Sequence, residues 1–192
     1  MEEKLTQRPA SCIRIVLFGP ESTGKTTLSE DLARHYDEPL VKEYMREYLQ
    51  EVWDAEKRSC EPKDLIPIAQ GQIQAENRLS ATAKKLLICD TNLLELKVYS
   101  EAYYDGYCNP LLLKHALNHY YDLYILTYID VPWTPDDLRD KPHDREGMFH
   151  RFQDTLDRYQ KPYFISKGNR KERLEYAVKK IDQLIKNRNR EF

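Results

Sequence analysis

The chain has almost no charge of either sign in excess. Its 30 Lys and Arg against 32 Asp and Glu leave a net -2 over 192 residues, so no overall field draws it to nucleic acid. A locally basic run, residues 167–190, holds nine Lys or Arg against three acids, and it reads as the solvated face of a last helix. Nowhere do eighteen apolar residues run together, and the opening MEEKLTQRPASC contains no apolar core. Neither a membrane span nor export is expected. The four cysteines, Cys12, Cys60, Cys89 and Cys108, form no C-x-x-C pair, and no histidine cluster has metal-ligand spacing. Small thiols in a reducing cytosol account for them, which predicts a cytoplasmic protein. No repeat and no low-complexity segment interrupts the chain. Its length suits one domain, residues 1–192, with residues 1–11 as a flexible lead-in.

What is present begins with FGPESTGKT, residues 18–26. Gly19-Pro20-Glu21-Ser22-Thr23-Gly24-Lys25-Thr26 fits Gly-x-x-x-x-Gly-Lys-[Ser/Thr], the spacing of a loop whose N–H groups cradle phosphates. Gly19 and Gly24 let the backbone wrap inward. Lys25 offers a point charge to the β- and γ-phosphates, and the Thr26 hydroxyl is placed for Mg²⁺. Thr27 continues the first turn of the following helix, whose positive end faces the same point. The context is right: CIRIVLF (12–18) is an apolar strand, and KTTLSEDLARHY places Leu28, Leu32 and Tyr36 on one helical face. ATP and Mg²⁺ are the expected cofactors.

Further along, EPLVKEY predicts a short second strand ending at Glu43, and MREYLQEVW a helix. The polar segment 54–64 reads as a surface loop. A helix is expected over 65–83, and KLLICD (85–90) is a third strand ending in Asp90. Asn109-Pro110 reads as a cap and first residue of a helix, and YDLYILTYI (121–129) as a fourth strand. DVPWTPDDLRDKPHDREG, with three prolines, reads as a mobile loop. A helix from about Met148, the strand PYFIS and a last helix capped at Asn169 with Glu172 complete the series. Alternating strands and helices predict a parallel sheet covered on both faces. Ligands then bind beyond the carboxyl ends of the strands, where the phosphate loop, Glu43, Asp90 and the loop after Ile129 meet.

Each of these residues has two readings. Asp90 faces the phosphates and holds Mg²⁺, or it caps the helix of DTNLLELKVY, a job Thr91 or Asn92 could take instead. Glu43 accepts or orients the proton of an attacking hydroxyl, or it begins a run of solvated acids with Glu47 and Glu51. Arg46 lies on the same side, for substrate or phosphate. Arg139 and Arg145 are candidates for a closing lid that neutralises the transferring phosphoryl group, worth roughly 10³-fold or more. Alternatively they pair with Asp136, Asp137, Asp140 and Asp144. Tyr99, Tyr103, Tyr104 and Tyr107 form an aromatic wall, or pack a helix onto the sheet.

GPESTGKTTL, VKEYMREYL, IAQGQ, ICDTN and VPWTPDDLR occur in an order and at distances that resemble the nicotinamide riboside kinase domain of the bacterial bifunctional NAD-biosynthesis regulator. The resemblance runs from about Ile13 to Ile185; its most specific parts are Glu43, Tyr44, Arg46 and Glu47 and the pair Asp90-Thr91. It implies an α/β P-loop kinase fold with strand order 2-3-1-4-5, ATP as donor, and a riboside 5′-hydroxyl as acceptor, nicotinamide riboside first. It also implies catalytic roles for Lys25, Glu43 and Arg139, and substrate contacts from Glu43, Tyr44, Arg46 and Asp90. Lys42 stands where such domains often carry an aromatic, and the lid reads D-D-L-R where D-G-L-R is commoner. With about eleven residues before the first strand and no H-x-G-H, a stand-alone kinase is expected, monomer or homodimer, with no nucleic-acid partner. The rival readings are a regulatory P-loop ATPase driving a partner and a kinase of another nucleoside or metabolite.

Overall fold

The structure is a computed structural model that describes residues 2–133, 144–188 and 190. Five strands, β1 (Ile13–Phe18), β2 (Leu40–Val41), β3 (Leu86–Asp90), β4 (Leu123–Thr127) and β5 (Tyr163–Ser166), form one parallel sheet in the order β2-β3-β1-β4-β5. Among the described residues seven α-helices accompany them: α1 (Lys25–Tyr36), α2 (Tyr44–Glu56), α3 (Leu65–Ser80), α4 (Leu93–Tyr103), α5 (Pro110–Asn118), α6 (Arg145–Arg158) and α7 (Arg170–Arg188). The expected strand order and class are found. Among the described residues no helix is long and apolar enough to cross a membrane.

Every residue of β1 is buried, because a central parallel strand is covered on both sides. Its two-residue period sorts the core. Ile13, Ile15 and Leu17 pack with Leu28 and Leu32 of α1 and Ala177 and Ile181 of α7. Val16 and Phe18 face the opposite layer, with Ile68 and Ile73 of α3, Leu94 of α4, Leu112 of α5 and Phe152 of α6. The register pairs Leu17 with Asp90 and Phe18 with Leu126, so the strands end together at the phosphate loop.

Local capping signals are realised as read. Asn109 Oδ1 accepts the Leu111 N–H at 2.9 Å with Pro110 at the first helical position. Asn169 Oδ1 accepts from Lys171 and Glu172, whose carboxylate takes the Asn169 N–H.

Four expectations need correction. The second strand ends at Val41, and Glu43 is the cap position of α2; two paired residues suffice at a sheet edge. The segment 54–64 is not all loop, since α2 continues to Glu56 and Pro62–Asp64 form a 3-10 turn leading into α3. Arg145 opens α6 and does not lie in the preceding loop. The lead-in, expected to be flexible, is anchored. Glu2–Leu5 form a 3-10 turn, Leu5 is fully buried, and the Arg8 N–H donates to Asn77 Oδ1 at 2.7 Å. One buried leucine and a few long-range bonds offset the ordering entropy of a short polar segment.

Candidate active site

The loop between β1 and α1 is shaped by its glycines and held from behind. Gly19 has φ +138°, and a Cβ there would lie 2.8 Å from Thr127 Oγ1 and 3.1 Å from the Thr127 carbonyl. Gly24, at φ +82°, is the cap residue of α1 and leaves the helix with no side-chain cap and no acid in its first turn. Those unpaired N–H groups and the helix dipole make an anion site. Thr23 Oγ1 donates to the Pro20 carbonyl and bonds Thr127 Oγ1, both at 2.7 Å. Arg173 of α7, almost fully buried, donates to the Thr23 carbonyl at 2.6 Å, to the Gly168 and Tyr128 carbonyls, and to Asp130. Arg145 reaches the Ser22 carbonyl at 3.2 Å and stacks over Trp133.

Inside the loop lies one buried cation among carboxylates. Lys25 is 8 % exposed and donates to the Gly19 and Pro20 carbonyls at 2.7 and 2.9 Å. Its ammonium is 3.2 Å from Glu95 Oε1, and Glu95 Oε2 accepts the Gly19 N–H at 3.3 Å. Burial alone would lower the Lys25 pKa, but Glu95, Glu43 and Asp90 together raise it. Burial pushes Glu95 up to about 8, with Lys25 pulling against it and Glu43 and Asp90 adding to the rise.

Asp90 is 2 % exposed, and burial raises its pKa against the pull of the Thr26 hydroxyl and Lys25. It does not cap α4. Asn92 does so, accepting the Leu94 and Glu95 N–H groups at 3.1 Å. Asp90 Oδ1 is buried with no hydrogen-bond partner, an orphaned acceptor beside a hydroxyl. That pair fits a small hard cation which keeps most of its waters, and no cluster of three acidic, His or Cys ligands exists among the described residues to hold a more demanding metal.

A cavity of about 320 Å³ opens beside the loop. Glu43, Arg46 and residues 21–27 line its near end; Met45, Leu49, Trp53, Cys60, Leu65 and Tyr104 line the rest, with Tyr99 and Tyr103 along one wall. The aromatic-wall reading thus holds for three of the four tyrosines, while Tyr107 is exposed. Tyr99 also packs on Phe152 with ring centroids 5.3 Å apart, so the packing reading holds for it as well.

The structure brings Lys25, Thr26, Glu43, Arg46 and Asp90 to one place and leaves Tyr44 outside the cavity lining. Its N–H donates to Gln72 Oε1 at 2.8 Å, and its ring lies where any side chain at Gly71 would be. The E-Y-x-R-E and A-Q-G-Q runs are therefore partners in packing α2 on α3. Lys42 is exposed and outside the cavity lining. Arg139, with Asp136, Asp137 and Asp140, lies outside the described residues.

Sequence reasoning missed Glu95, Arg173 and Trp53. Glu95 had a faint signal: an acid in the otherwise apolar run LLEL directly after the strand-ending aspartate. Arg173 had none, since it looks like any other charge on a basic helix.

Residues 14–173 match the family model described as an AAA domain. The trifunctional NAD biosynthesis/regulator protein NadR of Salmonella typhimurium is 27% identical over 125 residues, 65% of this chain and 30% of that protein; the Escherichia coli K12 protein gives the same figures. A crystal structure of NadR in complex with NR superposes with a TM-score of 0.74 at 23% identity, covering 91% of this chain and 52% of the other. Deoxyadenosine kinase from M. mycoides follows with a TM-score of 0.66 at 16% identity, over 89% of this chain and all of the other. The chain thus spans about a third of the length of the curated relatives. Its fold is that of the P-loop nucleoside and nucleotide kinases, and by a family match over most of its length the chain belongs to the AAA domain family.

Proposed function

We propose that this chain is an ATP-dependent kinase, one catalytic unit working in the cytoplasm, that transfers the γ-phosphoryl group to the 5′-hydroxyl of a riboside, nicotinamide riboside foremost. The observation that carries this reading is the cavity, which runs from the phosphate loop past Glu43 into an apolar and aromatic chamber. A pocket of this kind beside the phosphate loop suits a small-molecule acceptor. Relatives named for NAD biosynthesis, and a NadR structure holding NR, point to the same acceptor.

The residues divide the work. Lys25 and the N–H groups of residues 21–26 bind phosphate oxygens. Thr26 and Asp90 would hold Mg²⁺, which would supply charge neutralisation at the transferring phosphates. Glu43, at the loop end of the cavity, accepts the hydroxyl's proton or fixes that hydroxyl in line. Arg46 binds the substrate near the reacting end, and Arg145 steadies the loop through the Ser22 carbonyl. In the rest of the cavity Met45, Leu49, Trp53 and Leu65 offer apolar surface beside the polar groups of Ser59, Ser100 and Tyr104, a mix that suits a flat ring carrying a polar substituent. Phosphoryl transfer needs positioning and electrostatics more than covalent help, so such a site is sufficient in kind.

ADP release with Mg²⁺ and ATP, measured alone, with nicotinamide riboside and with common nucleosides, tests the proposal, with Lys25→Ala as the blank. Strong stimulation by nicotinamide riboside and formation of its mononucleotide is the expected result. Turnover only with another nucleoside keeps the kinase and replaces the acceptor. Hydrolysis indifferent to every acceptor overturns the kinase.

A further inference from the structure

Glu95 has a place in the site but no role in the chemistry just assigned. Its position is built at some cost. The chain leaves β3 through Thr91, a β-branched residue at φ 74°, a left-handed conformation such residues rarely adopt. Asn92 then caps α4 through the Leu94 and Glu95 N–H groups. This tight turn brings the first turn of α4 directly under the phosphate loop, and Glu95, 2 % exposed, points into it.

There it meets the loop twice. Oε2 accepts the Gly19 N–H, and Oε1 lies 3.2 Å from the Lys25 ammonium. The lysine's other two partners are the Gly19 and Pro20 carbonyls. An ammonium has three donors; two are hydrogen-bonded to loop carbonyls, and the group faces Glu95 Oε1 of α4 at ion-pair distance. For Lys25 to reach a phosphate, at least one of these contacts must be given up.

We propose that Glu95 is a positioning residue that holds the phosphate-binding lysine in reserve: a buried counter-ion that keeps Lys25 folded against the loop carbonyls and yields it to an arriving polyphosphate. It acts through Lys25 and touches neither the acceptor nor the reacting atoms. Holding Lys25 back weakens nucleotide affinity and lets the product nucleotide leave, so removing the charge tightens binding.

The test is ATP affinity without acceptor at pH 9, where Glu95 is ionised, by titration calorimetry with Mg²⁺, together with the thermal midpoint of each variant. Glu95→Gln is expected to bind ATP about tenfold tighter than wild type, and in a Lys25→Ala background the same substitution is expected to change affinity less than about twofold. Unchanged or weaker binding by a Glu95→Gln protein of normal thermal midpoint overturns the proposal. So does equal tightening with Lys25 absent, which would show a general field acting without the lysine. Should Glu95→Gln not fold, Glu95→Asp retracts the carboxylate by one methylene and is expected to bind about threefold tighter; no gain there overturns the idea as well. The inference rests on the nucleotide reading of the loop alone. Wild type that fails to bind ATP defeats both, whereas ATP binding without transfer to any riboside defeats only the acceptor assignment.

Discussion

Two buried glutamates face two buried cations at opposite ends of the same sheet, and they are built differently. At the amino ends of the strands, Glu76 of α3 lies 3.3 Å from Arg14 Nε and also accepts the Tyr121 hydroxyl at 2.6 Å and the Gln7 amide at 2.7 Å. At the carboxyl ends, Glu95 receives a single backbone N–H and faces Lys25, with Glu43 and Asp90 adding charge of its own sign. The first is a closed network in which the carboxylate's acceptor sites are filled. The second opens onto a cavity. A buried carboxylate whose two oxygens both accept hydrogen bonds is suited to holding the core, and one with an oxygen left unbonded is suited to exchanging partners.

The sharpest way to break the comparison is to remove the cation on each side. Lys25→Ala is expected to lower kcat/KM for transfer about 10³-fold, because a preorganised charge at the phosphates is lost, while leaving the urea midpoint near that of wild type. Arg14→Ala should do the opposite, destabilising the protein by about 3 kcal/mol in urea denaturation by leaving Glu76 buried without its ion pair, with kcat of the folded fraction unchanged. If Arg14→Ala damages turnover as much as stability, the two ends are not independent.

Within the open end, Glu43→Gln separates chemistry from charge: kcat should fall about 10²-fold with the KM for ATP unaltered. Equal losses with a raised KM for ATP would move Glu43 from the acceptor to the nucleotide.

The smallest effect is on stability against pH. Folding raises the Glu95 pKa from its ordinary 4.5 to about 8, so the folded state binds the extra proton and stability falls as pH rises through that window. Glu95→Gln should flatten the thermal midpoint between pH 6.5 and 8. At the closed end burial lowers His119 from 6.5 to about 4, where its Nε2 meets the Leu5 carbonyl at 2.8 Å. There the unfolded chain binds the proton, stability falls as pH drops from 6.5 toward 4, and His119→Gln should flatten that limb instead.

Much of the fold was legible because its signals are short-range. The strand, Gly-rich turn and helix of 13–36, the caps at Asn109 and Asn169, and the aspartate ending β3 are each read within about ten residues. The site was legible as far as those ends reach, since a parallel sheet brings the carboxyl ends of its strands together. Tyr44 packs its ring over Gly71 of α3, a contact across two helices that no local pattern announces. The lead-in was misread because a single buried Leu5 in a polar segment has no periodicity.

What the sequence determined by itself was the phosphate loop, the alternation of strands and helices, and the aspartate ending β3, since these follow from spacing and from the conformations glycine, proline and β-branched residues permit. What only the tertiary structure decided was which side chains surround the loop: Glu95 meeting Gly19 across 76 residues and Arg173 meeting Thr23 across 150. Hydrogen bonds and burial depend on distance in space, and a local pattern holds no information about a partner that arrives from another helix.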